Sequence, residues 1–460
     1  MKPRAPTIDS VTTINEDGSR YFVHPADVRG HFTTLRRVSA VALIAIYAML
    51  PFVRINGEPA VFLDVMHRKI HLFGITLMFQ DLWLLFFLIT GLGFALFLMT
   101  AIVGRIWCGW ACPQTVFLDH VFRRVERWID GDAPARRRLE DAPWTAGKLV
   151  RRGLKHGVYI LLAALIAHLF VSYFVSLPVL YSMAHRSPLE NWSVFLFVFA
   201  LTGALYFNFA WFREQFCIVL CPYGRLQSAL IDDNSIVVGY DVGRGEPRGK
   251  PGATSGDCVD CRRCVQVCPT GIDIRQGLQL ECIACAACVD ACDEVMERLG
   301  RRQGLIRHDS LNGLTGKVTR FLRPRLFLYL VLMLIGAGAF LFATQQVKPV
   351  IVSVLRMEGA PYFRDATTIR NNFLLRLANK RATPHTYTIS VHSEARALEV
   401  AEGNNREIRL QGGEEVQEPL ILSLPDADFH GQFEVEVFVK GESGTVETAR
   451  SVPFLGPFRE

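Results

Sequence analysis

Eight of the twelve cysteines in the 460-residue chain follow one spacing twice. A C-x2-C-x2-C-x3-C-P run ending at Pro269 and its repeat comprise Cys258, Cys261, Cys264 and Cys268, and Cys282, Cys285, Cys288 and Cys292. Three closely spaced thiolates can hold three corners of one [4Fe–4S] cluster, and the fourth cysteine of each run normally reaches the other cluster. The sequence therefore predicts one cluster on Cys258, Cys261, Cys264 and Cys292, and a second on Cys282, Cys285, Cys288 and Cys268. A zinc ribbon is the alternative, but this double pattern favours iron–sulfur clusters.

The other four cysteines form two C-x3-C-P motifs, each at the end of an apolar run, in RIWCGWACPQTVF and FCIVLCPYGRL. We refer to them as the membrane-edge cysteines: Cys108, Cys112, Cys217 and Cys221. The prolines that follow Cys112 and Cys221 suit the first turn of a new helix, so both cysteines are expected near helix N-termini, where the pKa of a thiol is lowered. If the apolar runs pack side by side, the four thiols form one soft-ligand site for Cu(I), zinc or an iron–sulfur cluster. The alternative is that they are small apolar residues at crowded helix ends.

The elements that position these thiols are long apolar runs. Half of the residues are hydrophobic, and the net charge is +6. Because a helix needs roughly 20 apolar residues to cross a bilayer, we predict five transmembrane helices, at 38–53, 82–103, 158–180, 192–212 and 326–344. The polar opening stretch does not resemble a secretory signal, so the first helix is expected to remain as an anchor. Trp107 and Trp110 are ascribed to an aromatic belt, and His168 to a neutral histidine satisfied by a neighbouring helix, with a quinone or haem contact as the alternative.

Basic residues set the expected orientation. Arginines and lysines are frequent between positions 105 and 155, whereas the loop at 180–191 contains only Arg186. The positive-inside rule places the first segment in the cytoplasm, so the N-terminus and residues 213–325 share its side, and the tail lies in the periplasm of a bacterium. All twelve cysteines then lie on the reducing side of the inner membrane, as expected for metal ligands or redox groups. We interpret the arginines as this topology signal and not as a nucleic-acid or phosphate site.

The predicted fold is an α-helical multi-span membrane protein with an inserted cytoplasmic ferredoxin-like domain carrying two [4Fe–4S] clusters and a C-terminal β-sandwich. Its segments are a cytoplasmic 1–37, a four-helix membrane region at 38–212, a cytoplasmic 213–325 with the ferredoxin-like domain at about 250–300, a fifth helix at 326–344 and a periplasmic 345–460. The glycine-rich GRGEPRGKPGATSGD lacks phosphate-loop spacing and is interpreted as a linker. Alternation in HTYTISVHS, PLILSLP and QFEVEVFVKG predicts the strands of the sandwich.

Several segments, taken in order, resemble the CcoG family, also called RdxA or FixG. They are HPADVRGHFTTLRR, RIWCGWACPQTVF, FCIVLCPYGRLQSALID, EPRGK, the two ferredoxin-type cysteine runs and IRNNFLLRLANK. The resemblance spans nearly the whole chain. It implies an accessory factor for the assembly of cbb-type cytochrome oxidases, implicated in reducing Cu(II) to Cu(I) for the copper centre of the oxidase, and it implies that the tail is immunoglobulin-like.

Residues and resemblance together suggest a cupric reductase as a hypothesis. Electrons from an unidentified donor would pass through two [4Fe–4S] clusters to Cu(II), the substrate, held at the membrane-edge cysteines as catalytic and metal-binding groups. Cu(I) would then pass to a copper chaperone or transporter and to the oxidase assembly machinery. Two alternatives remain, a quinol-linked membrane ferredoxin carrier without copper and a non-catalytic assembly scaffold. The residues leave open whether the membrane-edge cysteines hold copper, a third cluster or a disulfide.

Overall fold

The computed structural model describes residues 13–14, 20–66, 68–78, 81–249, 256–346, 350–381, 383–393, 398–402, 407–442 and 446–457. The predictions made for 1–12, 15–19 and 250–255, which include much of the N-terminal segment and the centre of the glycine-rich linker, lie outside the described residues. The chain forms two compact units, one of Met1–Val53 with Leu85–Ala339 and the other of Arg54–Leu84 with Phe340–Glu460. They are described separately below.

Helices dominate the first unit. Their bounds are α1 His31–Met49, α2 Trp83–Val103, α3 Ile106–Trp110, α4 Pro113–Phe117, α5 Arg123–Ile129, α6 Ala133–Asp141, α7 Ala146–Val171, α8 Leu177–Ala184, α9 Trp192–Phe207, α10 Pro222–Leu230, α11 Val242–Gly245, α12 Arg263–Gln266, α13 Ala287–Arg298, α14 Leu311–Leu314 and α15 Pro324–Gln345. Strands β6 (Val237–Tyr240) and β7 (Ile306–Asp309) pair antiparallel on either side of the ferredoxin-type cysteines in the chain. Three π-helical turns interrupt this pattern, at Leu118–Phe122, Asn208–Phe212 and Phe216–Leu220. Such turns are rare in helices and often accompany functional sites.

The prediction of five apolar helices is confirmed for the described residues. The helices long and apolar enough to span a membrane are His31–Phe52, Trp83–Val103, Ala146–Val171, Trp192–Phe212 and Pro324–Gln345. The predicted start of the first helix was wrong, because α1 begins at His31 and includes residues assigned to the N-terminal segment. The predicted bounds of the third helix, 158–180, were also wrong.

Local chemistry explains the shifted third helix. The Thr145 side chain accepts a hydrogen bond from the backbone N–H of Lys148, and this cap starts α7 well before its apolar stretch. Lys155 does not end the membrane helix, because its ammonium is buried against the Asp130 carboxylate at 2.7 Å. Pro178 cannot continue a helix from the preceding turn but fits the first turn of the next one, so α7 ends at Val171 and α8 begins at Leu177.

The second unit contains the predicted β-structure. A five-stranded sheet has the order β12-β14-β10-β8, with β9 paired to β10, and a four-stranded sheet has the order β13-β11-β15-β16. These strands are β8 Val350–Arg356, β9 Phe363–Arg364, β10 Thr368–Asn379, β11 His385–Ser393, β12 Glu399–Glu402, β13 Glu407–Leu410, β14 Glu415–Pro425, β15 Phe433–Lys440 and β16 Val446–Phe454. Alternate residues of both sheets, among them Phe373, Tyr387, Leu422 and Val437, form one buried core. This arrangement is typical of an immunoglobulin-like sandwich.

Five short strands that the sequence did not predict also belong to the second unit. They are β1 Arg54–Ile55, β2 Glu58–Pro59, β3 Val61–Asp64, β4 Lys69–Leu72 and β5 Ile75–Met78, and β3-β4-β5 form one antiparallel sheet. Met78 packs in a small buried cluster with Ile351 and Ala378 of the sandwich. Lys380 also pairs with Asp81 at 2.5 Å, so the segment between α1 and α2 and the C-terminal domain form a single packed body.

Candidate iron–sulfur and thiol site

The two ferredoxin-type loops repeat each other in backbone conformation as well as in sequence. Asp260 and Arg262 of the first loop, and Ala284 and Ala286 of the second, all have φ between 50° and 57°. In each loop these are the second and fourth residues after the first cysteine. Left-handed conformations alternating with right-handed ones turn successive backbone N–H groups to one side, which makes the anion-binding concavity found around many iron–sulfur clusters. The strain of four left-handed side-chain residues is thus tied to a binding function.

The first group of thiols comprises Cys258, Cys261, Cys264 and Cys292, and we call it the first ferredoxin group. Burial raises the pKa of Cys292 to about 12, and the neighbouring Cys264, Cys261 and Cys258 contribute to that shift in the same direction. Burial likewise raises the pKa of Cys264 to about 12, against the opposing effect of the Arg275 guanidinium. Cys292, from α13, is thus close enough to the three thiols of the first loop to interact with them, and its role as the fourth ligand of that cluster stays a prediction.

The second ferredoxin group comprises Cys268, Cys282, Cys285 and Cys288, which line one cavity. Burial raises the pKa of Cys282 to about 12 and that of Cys285 to about 11. The pKa of Cys288 lies well above its usual value because of burial and of the other three thiols. Cys264 of the first group lines the same cavity, so the two groups are adjacent.

Two side-chain pairs join the C-x3-C-P motifs. Gln114 donates to the Asn208 side-chain oxygen at 3.2 Å, and Asn208 donates in return to Gln114 at 2.7 Å. Arg105 Nε donates to Gln227 Oε1 at 2.5 Å, and Gln227 Nε2 lies 3.4 Å from the Cys108 sulfur. Each pair connects a residue near one motif to a residue near the other. The two C-x3-C-P motifs are therefore adjacent.

The electrostatics of these four thiols correct one expectation. Cys112 caps α4, and the backbone N–H groups of Gln114 and Thr115 act on it in the predicted direction, but burial is the larger effect and its pKa is raised. Burial also raises the pKa of Cys108, against Arg105 and Gln227. It raises the pKa of Cys217 as well, with the other three membrane-edge thiols adding to the shift. The four groups are close enough to influence one another.

All twelve cysteines are free thiols. Across the described ranges, no three histidine, cysteine or acidic side chains converge closely enough for a single metal ion.

The first C-x3-C-P motif packs directly on the second ferredoxin loop. A Cβ at Gly109 would lie within 3.0 Å of the Ile283 carbonyl oxygen and at 3.1 Å from the Cys285 Cα and N atoms. Trp110 Nε1 donates to the Ala284 carbonyl at 3.2 Å, so this residue, interpreted from the sequence as part of an aromatic belt, also contacts the second ferredoxin loop. Cys108 and Cys285 belong to one buried apolar cluster. The membrane-edge cysteines and the second ferredoxin group are consequently neighbours.

A network of buried charges surrounds these contacts, and no pattern in the sequence indicates that its arginines are buried. Its ion pairs are Arg36–Asp119, Arg123–Asp119, Arg123–Glu214, Arg20–Glu214, Arg213–Glu126, Arg136–Glu126 and Lys155–Asp130. Arg36 also donates through Nε to the Gly109 carbonyl at 2.7 Å. Burial opposes ionisation of Asp119, but Arg36 and Arg123 outweigh it and hold its pKa well below the usual range.

His168 lies at the other end of α7 from this network. Its Nδ1–H donates to the carbonyl of Ala164, four residues earlier, at 2.8 Å, so its partner is in its own helix and not in a neighbouring one as expected. Together with Arg186, Asn191 and Thr202 it lines a cavity of ≈ 420 Å³. This cavity is separate from the cysteines.

Thiol groups of this kind on a frame of five apolar helices define a membrane iron–sulfur electron-transfer protein. Family models agree, with a 4Fe-4S dicluster domain at 212–311, a 4Fe-4S binding domain at 83–131 that includes Cys108 and Cys112, and an IG-like fold at the C-terminus of FixG at 340–457. Protein RdxA of Cereibacter sphaeroides is 37% identical over 401 residues, which cover 83% of this chain and 84% of that protein. Protein RdxB of the same organism is 36% identical, covering 81% and 82%.

The nitrogen fixation protein FixG of Rhizobium meliloti is 40% identical over 304 residues, 63% of this chain and 57% of that protein. On the extent of these matches, the chain belongs to the RdxA/FixG family. The resemblance found in the sequence is thereby confirmed, as is the immunoglobulin-like nature of the C-terminal domain.

Proposed function

We propose that this protein reduces Cu(II) to Cu(I) at the membrane-edge cysteines, for the copper centre of a cbb-type cytochrome oxidase. The observation that carries the proposal is the contact of Gly109 and Trp110 with residues 283–285. It supports the proposal because Cys108, one of the four proposed soft ligands, packs in the same buried cluster as Cys285 of the second ferredoxin group.

The eight ferredoxin-type cysteines fit two [4Fe–4S] clusters. They form two groups of four, each with three thiols from one run and one from the other, and both loops have the left-handed residues that turn N–H groups inward. Clusters bound there supply single electrons. Arg275 donates to Asp260 at 2.5 Å and to Asp273 at 2.7 Å, which fixes the first loop beside Cys264.

The membrane-edge cysteines supply the chemistry of the copper step. One Cu(II) ion takes up one electron and becomes Cu(I), which thiolates hold more favourably than Cu(II) because both are soft. Burial raises the pKa of Cys108, Cys112 and Cys217, so copper binding must displace thiol protons. Gln227 and Arg105 lie against Cys108 and can stabilise the thiolate that results.

The proposed setting is the bacterial inner membrane, with the N-terminus and the cysteines in the cytoplasm and the immunoglobulin-like domain in the periplasm. A cytoplasmic electron donor reduces the protein, and Cu(I) passes to a copper chaperone or transporter of the oxidase assembly machinery. The distribution of arginine and lysine residues described above supports this orientation.

The test compares anaerobically purified wild type with a variant in which Cys108, Cys112, Cys217 and Cys221 are replaced by serine. Both are reduced with dithionite, freed of excess reductant and given one equivalent of Cu(II), with a Cu(I) chelator to report the product. We expect the wild type to produce Cu(I) as its cluster absorbance returns to the oxidised form. We expect the variant to bind no copper and to keep its iron content.

A Cys261→Ser variant is the matched control, because Cys261 is exposed and distant in the chain from the membrane-edge cysteines. It should still bind copper but produce less Cu(I). Two results would contradict the proposal: equal copper binding by the wild type and the four-serine variant, or a loss of about four iron atoms from that variant, which would assign its cysteines to a third cluster.

One geometric observation weighs against the quinol-linked alternative. The cavity beside His168 combines apolar walls with a few polar groups, as a quinone site requires. His168 follows Lys155 by 13 residues of α7, or about 20 Å of helix axis, and Lys155 is at the end that packs against Asp130. Quinol bound there would lie far from every cysteine group, and we expect added quinol to leave the clusters oxidised.

A further inference from the structure

A second cavity, of ≈ 90 Å³, lies beside the second ferredoxin group. Its walls come from the segment before α1, from α1 itself, from the region between α4 and α6, and from the ferredoxin loops. We call it the arginine cavity because its charged lining residues are Arg36, Arg37, Arg123, Arg124, Arg127 and Arg136, with Asp27 and Asp119. Six guanidinium groups and two carboxylates thus line the cavity, and two of the arginines, Arg123 and Arg136, also pair with Glu214 and Glu126 outside the lining.

The two carboxylates do not satisfy this set of donors. Asp119 pairs with Arg36 and Arg123. Asp27 pairs with Arg127 at 2.6 Å and, more loosely, with Arg124 at 3.7 Å. Some of the remaining donors have other protein partners, since Arg123 also donates to Glu214 and Arg136 to the Pro25 carbonyl.

Unsatisfied donors are found in the deepest part of the lining. Arg123 and Arg136 are only 6% and 5% exposed, yet the Nε–H group of each has no hydrogen-bond partner among the described residues, and the same holds for Nε of Arg37. Buried donors in native proteins are nearly always paired, and each orphan calls for an explanation. An anion with several acceptor oxygens provides one.

His120 also lines the cavity, and its pKa reflects the positive charge of the surrounding arginines. Burial lowers the pKa of His120 to about 4, and the charges of Arg36, Arg124 and Arg37 contribute against the opposing effect of Asp119. Burial and the nearby charge of Arg37 also lower the pKa of Arg124. The cavity is therefore positive enough to disfavour further cations.

We propose that the arginine cavity binds a phosphate group. A volume of ≈ 90 Å³ is several times the roughly 10–15 Å³ that one water molecule needs by this measure, so the cavity has room for a phosphate group. Guanidinium forks bind phosphate oxygens in pairs, with charge-assisted hydrogen bonds. Nothing in this inference depends on copper.

The phosphate can come from two sources that share this chemistry. Arg36 and Arg37 are in the first turns of α1, a membrane-spanning helix, so the phosphate of an anionic lipid headgroup is within reach. Free phosphate from solution presents the same oxygens. In both cases the ligand sits beside Cys285, which lines the cavity, and Arg123 also donates to the Pro269 carbonyl at 2.9 Å, next to Cys268.

The experiment measures binding of inorganic phosphate by isothermal titration calorimetry, with the full-length protein carrying its clusters, delipidated in a phosphate-free detergent such as dodecyl maltoside. An Arg37→Gln/Arg124→Gln variant removes two half-buried lining residues and spares the buried ion pairs of Arg123 and Arg136. We expect its affinity for phosphate to fall at least tenfold, since charge-assisted hydrogen bonds are lost. Asp27→Asn, which removes an opposing carboxylate, should bind phosphate more tightly than the wild type.

Arg138→Gln is the matched control. Arg138 lies on α6 with Arg136 but is exposed, so its replacement should leave the affinity within about twofold of the wild type. Unchanged cluster absorbance and thermal unfolding establish that each variant is folded. Absence of phosphate binding by the wild type, or equal affinity in the wild type and a folded double variant, would overturn the proposal.

A second arm identifies the source. Phosphatidic acid added to the micelles should displace inorganic phosphate if the natural ligand is a lipid headgroup. If phosphatidic acid does not displace inorganic phosphate, and the double variant no longer binds inorganic phosphate, the site binds soluble phosphate. Either result supports the cavity as a phosphate site.

Discussion

Gly109 offers the sharpest test of the contact between the membrane-edge cysteines and the second ferredoxin group. It is buried in α3, one residue after Cys108, and any side chain there meets the backbone of Ile283 and Cys285. In Gly109→Ala the Cβ falls closer than 3.0 Å to a carbonyl oxygen, a separation that real Cβ atoms essentially never adopt, so the loop or α3 must move by several tenths of an ångström. The ferredoxin loop cannot keep its present position in the variant.

The magnitude follows from two opposing contributions. Overpacking a well-packed interior costs about 1–3 kcal/mol. Alanine in place of glycine within a helix stabilises by about 0.5–1 kcal/mol, so the net loss of unfolding free energy is about 0–2.5 kcal/mol. At about 2 °C per kcal/mol for a unit of this size, the melting temperature should fall by up to about 5 °C. The rate of cluster loss to a chelator should rise at the same time, because the displaced residues flank Cys285.

The assay is thermal unfolding in detergent, followed by cluster absorbance and by circular dichroism. Gly153→Ala is the matched control, since Gly153 is helical in α7 and a Cβ there meets nothing within 4 Å. It should be neutral or stabilising. If Gly109→Ala unfolds and loses iron no faster than Gly153→Ala, the contact does not exist as described and the proposed route from cluster to copper loses its support.

Three further outcomes follow from the buried charges. Asp130→Asn leaves the Lys155 ammonium buried without its carboxylate, at 2.7 Å in the wild type, and should cost about 3–5 kcal/mol in unfolding experiments. Burial opposes ionisation of Glu126, but Arg213 and other cations outweigh it and lower its pKa, so its contribution to stability is complete above the unfolded pKa of 4.5 and is lost as the pH falls below it. Glu126→Gln should therefore flatten the acid limb of a stability–pH curve. His120, whose pKa falls from 6.5 to about 4, stays neutral in the folded protein, so lowering the pH from 6.5 to 4 destabilises the fold, and its NMR titration midpoint should lie near 4.

The features that could be predicted from the sequence are those set by residues close together in the chain. Cysteine runs with gaps of two and three residues specify cluster loops because the ligands are close in the chain, and apolar runs of sufficient length specify membrane helices. The grouping of Cys292 with the first loop was predictable only from the rule for two-cluster runs, since 24 residues separate it from Cys268.

Long-range packing accounts for the rest. Lys148 and Lys155 resemble the polar end of a helix in sequence, but both are buried in α7, where Lys148 donates to the Glu140 carbonyl at 3.0 Å and Lys155 pairs with Asp130. No local pattern shows which carboxylate will neutralise a lysine 25 residues away. The role of Gly109 likewise cannot be recognised from the sequence, because the backbone that leaves no room for a side chain there is more than 170 residues further along the chain.

Solvent exposure differs between the first ferredoxin group and the membrane-edge cysteines. All twelve cysteines lie in the described part of the chain, and among them Cys261 alone is exposed. Arg262, beside Cys261, has a side chain that is 71% exposed, so an electron donor with an acidic surface can approach the first ferredoxin group. The membrane-edge cysteines, at α3, α4 and α10, are buried or half-buried. Under the proposed function, electrons enter at the exposed Cys261 and a Cu(I) product formed at the membrane-edge cysteines is shielded from oxidants in solution.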